Sequence, residues 1–347
     1  MARRLIVCIA AVALASIVAE VRPRGAGCDP VGNLHFVCGL AGPEDLAVVP
    51  GGKWVIASGM APSGGIRLID MKDKTATVLF PGAAPKEQFD RATYSACPGP
   101  AKRDDFRSHG LYLRSTGTQQ YRLFAVHHGD RESVEVFTFD ARGSAPSLTW
   151  IGCTVAPDPV GLNSVVGLPD GGVIATNFQP RNADATGRGR MMAGENNGEL
   201  WEWHPRGEWK KVPGSEAAGP NGLEISPDGK TLYIGGWGSQ NVIRLSRGEG
   251  TPKKDTVSVG FRVDNVRWAP DGTLLATGQL PAAQQGQRGS SRSARIDPKT
   301  LKAEDVLNRP DDDAFATSTV AVQIGQELWV GSVRGDRVAI LPLRPRS

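Results

Sequence analysis

The chain has 347 residues, a formal charge of +4, 43 Gly and 25 Pro, and 40 % of its residues are hydrophobic. So small and scattered a charge excludes a nucleic-acid-binding face or an anionic membrane surface as the basis of its function. The length alone would suggest two domains, but no long helical periodicity is present, and all-β barrels and propellers commonly reach this size as one unit.

Residues 1–19 read as an export signal. Arg3 and Arg4 form the basic start, LIVCIAAVALASIVA the apolar run, and Ala13-Leu14-Ala15 or Ile17-Val18-Ala19 the small-residue cleavage site. The run is shorter than the about 20 residues that a membrane span needs. The mature chain, 20–347, is therefore expected to be exported (periplasmic or secreted), with no stable membrane span once the leader is removed. Cleavage removes Cys8 and leaves Cys28, Cys38, Cys97 and Cys153. An even count in an exported chain predicts disulfides, with three pairings open. No C-x-x-C or zinc-type spacing occurs.

The mature chain carries an internal repeat. From Gly219 the segment GPNGLEISPDGKTLYIGGWGSQNVIRL reads as three short strands, with Pro-Asp-Gly as the tight turn between the first two. The same grammar recurs from Gly42, Gly161 and Val263: a carboxylate or carboxamide, a short strand, Pro-Asp-Gly or Pro-Gly-Gly, and a second strand. Units start near Glu44, His109, Asn163, Asn221, Asp264 and Thr317, at spacings of a propeller blade with loop insertions. The expected fold is all-β, a six-bladed β-propeller with four-stranded blades, forming a single domain over 20–347. The last unit runs out of chain after RVAILPL, so Leu34–Cys38 (LHFVC) is expected to supply its missing strand. Three connections, Met60–Gly65, Phe178–Gly198 and Gln279–Ser293, fall at the end of the channel where the polar entrances converge. The first two are expected to flank a covered site.

Six inner strands side by side would bring Glu44, Asn163, Asn221, Asp264 and Asn265 into one ring of oxygens. Two carboxylates and three carboxamides without thiolate or imidazole suit a hard cation, and calcium accepts such irregular all-oxygen sets. His109 takes the matching position in the second unit. His127-His128 ends that unit's second strand, and alternation along a strand lets only one of the pair face the channel. His35 and His204 have no such context. The nucleophile elbow, H-E-x-x-H, phosphate loops and dinucleotide fingerprints are absent. Arg334-Gly335-Asp336 reads as an ordinary turn.

The ordering of Pro43-Glu44-Asp45, His109-Gly110, Val126-x-His128, Leu162-Asn163, PNGLEISPDGKTLYI from Pro220, Val263-Asp264-Asn265 and STVA from Ser318 resembles the serum paraoxonase and arylesterase family. That family lies close to the SMP-30/gluconolactonase-like calcium propellers, and the resemblance spans about Gly42 to Leu343. It implies a six-bladed propeller with a catalytic calcium held by Glu44, Asn163, Asn221, Asp264 and Asn265, and a His109–His128 dyad. It also implies a second, structural calcium, whose ligands would fall at Asp45, the Leu111 carbonyl and position 164, which here is Ser. His127 replaces an Asn of the family. The expected activity is calcium-dependent hydrolysis of a small-molecule lactone or activated aryl ester. The alternatives are a non-catalytic ligand- or partner-binding propeller and a gluconolactonase-type sugar lactonase that works without a His dyad. Substrate identity and oligomeric state do not follow from the sequence.

Overall fold

A computed structural model describes residues 28–284 and 288–343. The expected export signal lies outside the described residues. In chain order, β1 (His35–Cys38) precedes β2 (Leu46–Val48), β3 (Trp54–Gly59), β4 (Gly65–Asp70), β5 (Thr75–Phe80) and β6 (Lys86–Glu87). Next come β7 (Arg107–Gly117), β8 (Gln120–His128), β9 (Ser133–Asp140) and β10 (Ser147–Val155). β11 (Leu162–Gly167), β12 (Val173–Asn177), β13 (Glu199–Trp203) and β14 (Lys210–Lys211) follow, with α1 (Ala185–Met192) between β12 and β13. The rest are β15 (Pro220–Ile225), β16 (Thr231–Gly236), β17 (Asn241–Ser246), β18 (Lys254–Ser258), β19 (Arg262–Trp268), β20 (Leu274–Leu280), β21 (Ser290–Ile296) and β22 (Ala303–Pro310). β23 (Ser318–Ile324), β24 (Glu327–Ser332) and β25 (Arg337–Pro342) complete the order.

These strands form an all-β propeller of four-stranded blades. Three blades are antiparallel meanders, β11–β14, β15–β18 and β19–β22, each running from a buried first strand to an exposed last one. The gradient is written in the residues. β15 (PNGLEI) is buried throughout, whereas β18 (KDTVS) is mostly exposed. A strand covered on both faces takes apolar and small residues without alternation, and a rim strand does not. The turns between first and second strands follow the expected chemistry. After β15, Gly229 has φ +73° and Asp228 Oδ1 accepts from Lys230 N at 3.0 Å.

The fourth separate sheet is closed from both ends of the chain, in the order β1-β25-β24-β23. His35 to Cys38 pair antiparallel with Ile340 to Arg337, so the segment expected to complete the last unit does so. The remaining strands differ from the expectation of six separate sheets. They form one nine-stranded sheet, because β4 and β7 are joined by a single parallel pair, Gly65 with Arg107. On either side of that pair lie the meanders β2–β5 and β7–β10, and the short β6 adds in parallel to β10. The first strands β2, β7, β11, β15, β19 and β23 each touch the next, and β23 returns to β2.

Two disulfides are formed, Cys28–Cys38 and Cys97–Cys153. The first ties the start of the described chain to the closing strand β1. The second anchors the β6–β7 connection on β10, closing a sequence separation of 56 residues. Alkylation under denaturing, non-reducing conditions is expected to label none of these four thiols. Cys153→Ser (paired with Cys97→Ser) should lower stability by about 2–4 kcal/mol in chemical unfolding.

Candidate metal centre

Five of the six first strands share a local irregularity that β2 lacks. In β7, β11, β15, β19 and β23 the pairing register slips at Ser108/Leu111, Leu162/Val165, Pro220/Leu223, Val263/Asn265 and Ser318/Val320. A bulge of this kind re-aims side chains beside a site. His109, Asn163, Asn221 and Asp264 all fall inside these slips. Packing there is close enough to dictate the following residue. A Cβ on Gly110 would stand 2.5 Å from Asn163 O, and one on Gly222 would stand 2.6 Å from Asn265 Cα. Ser164, in the same slot, uses its hydroxyl to accept from Leu223 N of the next first strand at 3.1 Å.

Glu44, Asn163, Asn221, Asp264 and Asn265 are all buried. Asn265 Nδ2 donates to Glu44 Oε1 at 2.6 Å, and Gln279 Nε2 donates to Asp264 Oδ2 at 3.3 Å. Four buried oxygens of the set have no hydrogen-bond partner: Glu44 Oε2, Asn163 Oδ1, Asn221 Oδ1 and Asn265 Oδ1. Buried acceptors left unpaired are costly, and several in one place ask for a cation. The carboxylates carry the same strain. Burial, reinforced by Asp45, pushes Glu44 up to about 8, and burial with the neighbouring Glu44 raises Asp264 well above the carboxylate range. An all-oxygen donor set dominated by carboxamides fits calcium better than zinc. Among the described residues, no group of three or more His, Cys, Asp or Glu is placed to hold a metal by itself.

His109 stands beside this cluster, its Nε2 3.4 Å from Glu44 Oε2. Its Nδ1 lies 2.8 Å from His128 Nε2, and His128 Nδ1 lies 2.9 Å from Glu132 Oε2. Glu132 Oε1 accepts from Leu162 N at 2.6 Å, which fixes the carboxylate against β11. Burial lowers the His109 pKa. Sequence reasoning missed Glu132, because nothing in the turn Gly129-Asp130-Arg131-Glu132 announces that its last carboxylate folds back onto a strand end. It missed Gln279 for a similar reason. Of the adjacent pair, His128 faces His109. His127 faces the other way, buried against Phe106 at 4.6 Å between ring centroids, with Nε2 3.1 Å from Asp130 Oδ1.

The second expected ligand set is occupied otherwise. Asp45 accepts from Leu46 N at 2.8 Å and Leu111 N at 2.6 Å, and the Arg267 guanidinium binds its remaining carboxylate positions. The same guanidinium donates to Leu111 O at 3.1 Å. Asp45 and the Leu111 carbonyl are therefore not free to ligate a metal, which corrects the expectation of a second calcium there.

The insertion 178–198 contains α1, capped by Asp184, whose Oδ1 accepts from Gly187 N at 2.7 Å. Met191 of α1 is buried against Gly219, and Asn197 Oδ1 accepts from Gly219 N at 2.7 Å, two residues before Asn221. A cavity of about 700 Å³, lined by Tyr112, Arg114, Lys230, Arg247 and Trp268, opens beside the Pro-Asp-Gly turn of Asp228 and holds none of the unpaired oxygens.

Two variants test this packing. Gly222→Ala should lose about 1–3 kcal/mol in urea unfolding, since its methyl has no room against β19. His127→Gln should lower the melting temperature while leaving the His109–His128 pair, and any activity it supports, in place.

No protein-family model matches the chain, and no curated protein matches it. Among solved structures it is similar to a gluconolactonase from Xanthomonas campestris, at 17 % identity and TM-score 0.54, over 90 % of this chain and 89 % of that one. It is similar to a luciferin-regenerating enzyme, at 14 % identity and TM-score 0.53, over 90 % and 94 % of the two chains. An aldose sugar dehydrogenase from Streptomyces coelicolor, solved with PQQ bound, follows at 17 % identity and TM-score 0.51, over 89 % and 97 %. These likenesses, all below 20 % identity, bear on the fold alone.

Proposed function

We propose that the chain is an exported, calcium-dependent hydrolase of lactones or activated esters, built on a single six-bladed propeller. The six-blade count takes the nine-stranded sheet as two blades, and the closed circuit of first strands supports it. The carrying observation is the set of four unpaired buried oxygens on Glu44, Asn163, Asn221 and Asn265 beside the His109–His128–Glu132 chain. Similarity of fold to a gluconolactonase agrees with this reading, although the same fold also serves a sugar dehydrogenase. Export is supported by the two disulfides.

Glu44, Asn163, Asn221, Asp264 and Asn265 would hold the calcium. When bound, calcium supplies a Lewis acid that polarises a substrate carbonyl and stabilises its developing oxyanion. The protein's own part is proton handling. If the Glu132 carboxylate accepts from His128 Nδ1–H, the His128 Nε2 lone pair accepts from His109 Nδ1–H. That tautomer leaves a lone pair on His109 Nε2, the nitrogen on the Glu44 side. There it takes a proton from the attacking water, whose oxygen bonds to the carbonyl carbon. The ester C–O bond then breaks, and the departing oxygen recovers the proton from His109. Glu132 is a positioning residue in this scheme. The insertion carrying α1, fastened at Gly219, would shield the mouth from bulk water.

A panel of lactones and aryl esters, assayed with calcium and with chelator, tests the reading. Calcium is expected to raise the melting temperature by linkage, and chelator to abolish hydrolysis. Asn221→Ala or Asp264→Ala should remove both effects. His109→Gln should keep the calcium-dependent melting shift and lower kcat by roughly 10²- to 10⁴-fold, with a smaller loss for Glu132→Gln. Full activity in His109→Gln would leave a sugar-lactonase mechanism without the dyad. Tight calcium binding with no hydrolysis of any substrate would favour a binding propeller.

A further inference from the structure

One step further along the first strands from the ring of unpaired oxygens lies a second polar layer with the opposite character. Arg267, two residues after Asn265 on β19, is buried at 6 % exposure, among Asp45 at 0 % and Glu224 at 6 %. Its Nε donates to Asp45 Oδ1 at 3.1 Å, and its Nη2 donates to Asp45 Oδ2 and to Leu111 O. Nη1 donates to Val266 O at 2.8 Å and Leu223 O at 3.4 Å, and it lies 3.6 Å from Glu224 Oε1. One guanidinium thus engages the segment leading into β2, the bulged strand β7, and β15, all from β19. Burial opposes its charge, but Asp45 and then Glu224 outweigh that and hold the Arg267 pKa above its ordinary value.

The two layers differ in how their buried oxygens are met. In the layer of Glu44, Asn163, Asn221 and Asn265 four buried oxygens lack a hydrogen-bond partner, whereas no side-chain atom of Asp45, Glu224 or Arg267 is a buried orphan. Both Asp45 oxygens are taken up, each by a backbone N–H and by the guanidinium. The geometry points to Arg267 as a built-in organic cation that replaces a structural metal on the channel axis. A planar fork of five donors can serve a carboxylate and several carbonyls at once, which a single ammonium cannot. The protein accordingly holds this layer of its first strands together without metal. This inference does not require the mouth to be catalytic.

The test counts metal ions and measures melting on the full chain. Calcium titration followed by elemental analysis of dialysed protein is expected to give one ion per chain, and none in the double variant Asn221→Ala, Asp264→Ala. That double variant should still melt cooperatively in chelator. A calcium ion retained by the double variant, with a melting temperature that falls on chelation, would overturn the inference. An absence of calcium binding by the unaltered chain would sink the proposed catalytic metal and leave this inference standing. Arg267→Ala should lower the melting temperature by about 10 °C or more, since it strands a buried carboxylate. Methylguanidinium at millimolar concentration should recover part of the loss. Because that variant risks failing to fold, Arg267→Lys provides the second arm. It keeps the charge without the fork, and its melting temperature should fall between the other two. An unchanged melting temperature in both variants would show that Arg267 holds nothing together.

Discussion

Packing the first strands of a propeller about one axis leaves almost no room between backbones, and that crowding governs the rest of the molecule. A Cβ on Gly222 would meet Asn265 Cα at 2.6 Å, so a side chain at that position forces the two strands apart. The recurring register slips relieve this crowding and turn polar side chains inward. Regular strands would have sent alternate residues into the sheet-to-sheet core, where carboxylates and carboxamides find no partners. The bulge is therefore what sets His109, Asn163, Asn221 and Asp264 apart from the regular strand pairing.

Concentrating oxygens on an axis raises an electrostatic problem that the molecule meets in two ways. Along the strands, Asp45 and Glu224 are answered by the covalently supplied charge of Arg267. At the mouth, neither Glu44 nor Asp264 forms an ion pair with a guanidinium, and burial outweighs the more distant pull of Arg267 on Glu44 and of His109 on Asp264, so both carboxyl pKa values are raised. A charge that belongs to the chain cannot leave, so it suits a structural position. One that is recruited from solution leaves a coordination position for something else, which suits a site that must admit a ligand.

Much of this was legible in the sequence, because the information was periodic. The Pro-Asp-Gly turns, the apolar strand pairs and the polar entrance residue recur, so the blade grammar could be read by aligning the chain with itself, and that frame singled out Glu44, Asn163, Asn221, Asp264 and Asn265, all of which are buried. His109 followed from its place in the same frame. Residues outside the repeat left no such trace. Glu132 acts from a turn, Gln279 from a second strand, and α1 sits in an insertion whose apolar content is slight. Arg267 was hidden for another reason: an arginine late in a strand ordinarily reads as an exposed residue, and only the packing of the first strands against one another buries it. The merging of two expected blades through Gly65 and Arg107 depends on a single pair, below anything that composition can signal.

The pairing of β1 with β25 joins segments separated by nearly the whole described chain. Until residues 337–340 exist, β1 has no partner, and until β1 docks, β25 presents an open row of amides and carbonyls. Closure is thus the longest-range contact in the fold, and the first-made end of the chain must wait for its far end. The Cys28–Cys38 bridge acts on this wait. It ties a hairpin-sized loop around β1 itself, so the strand can be held compact before its partner arrives.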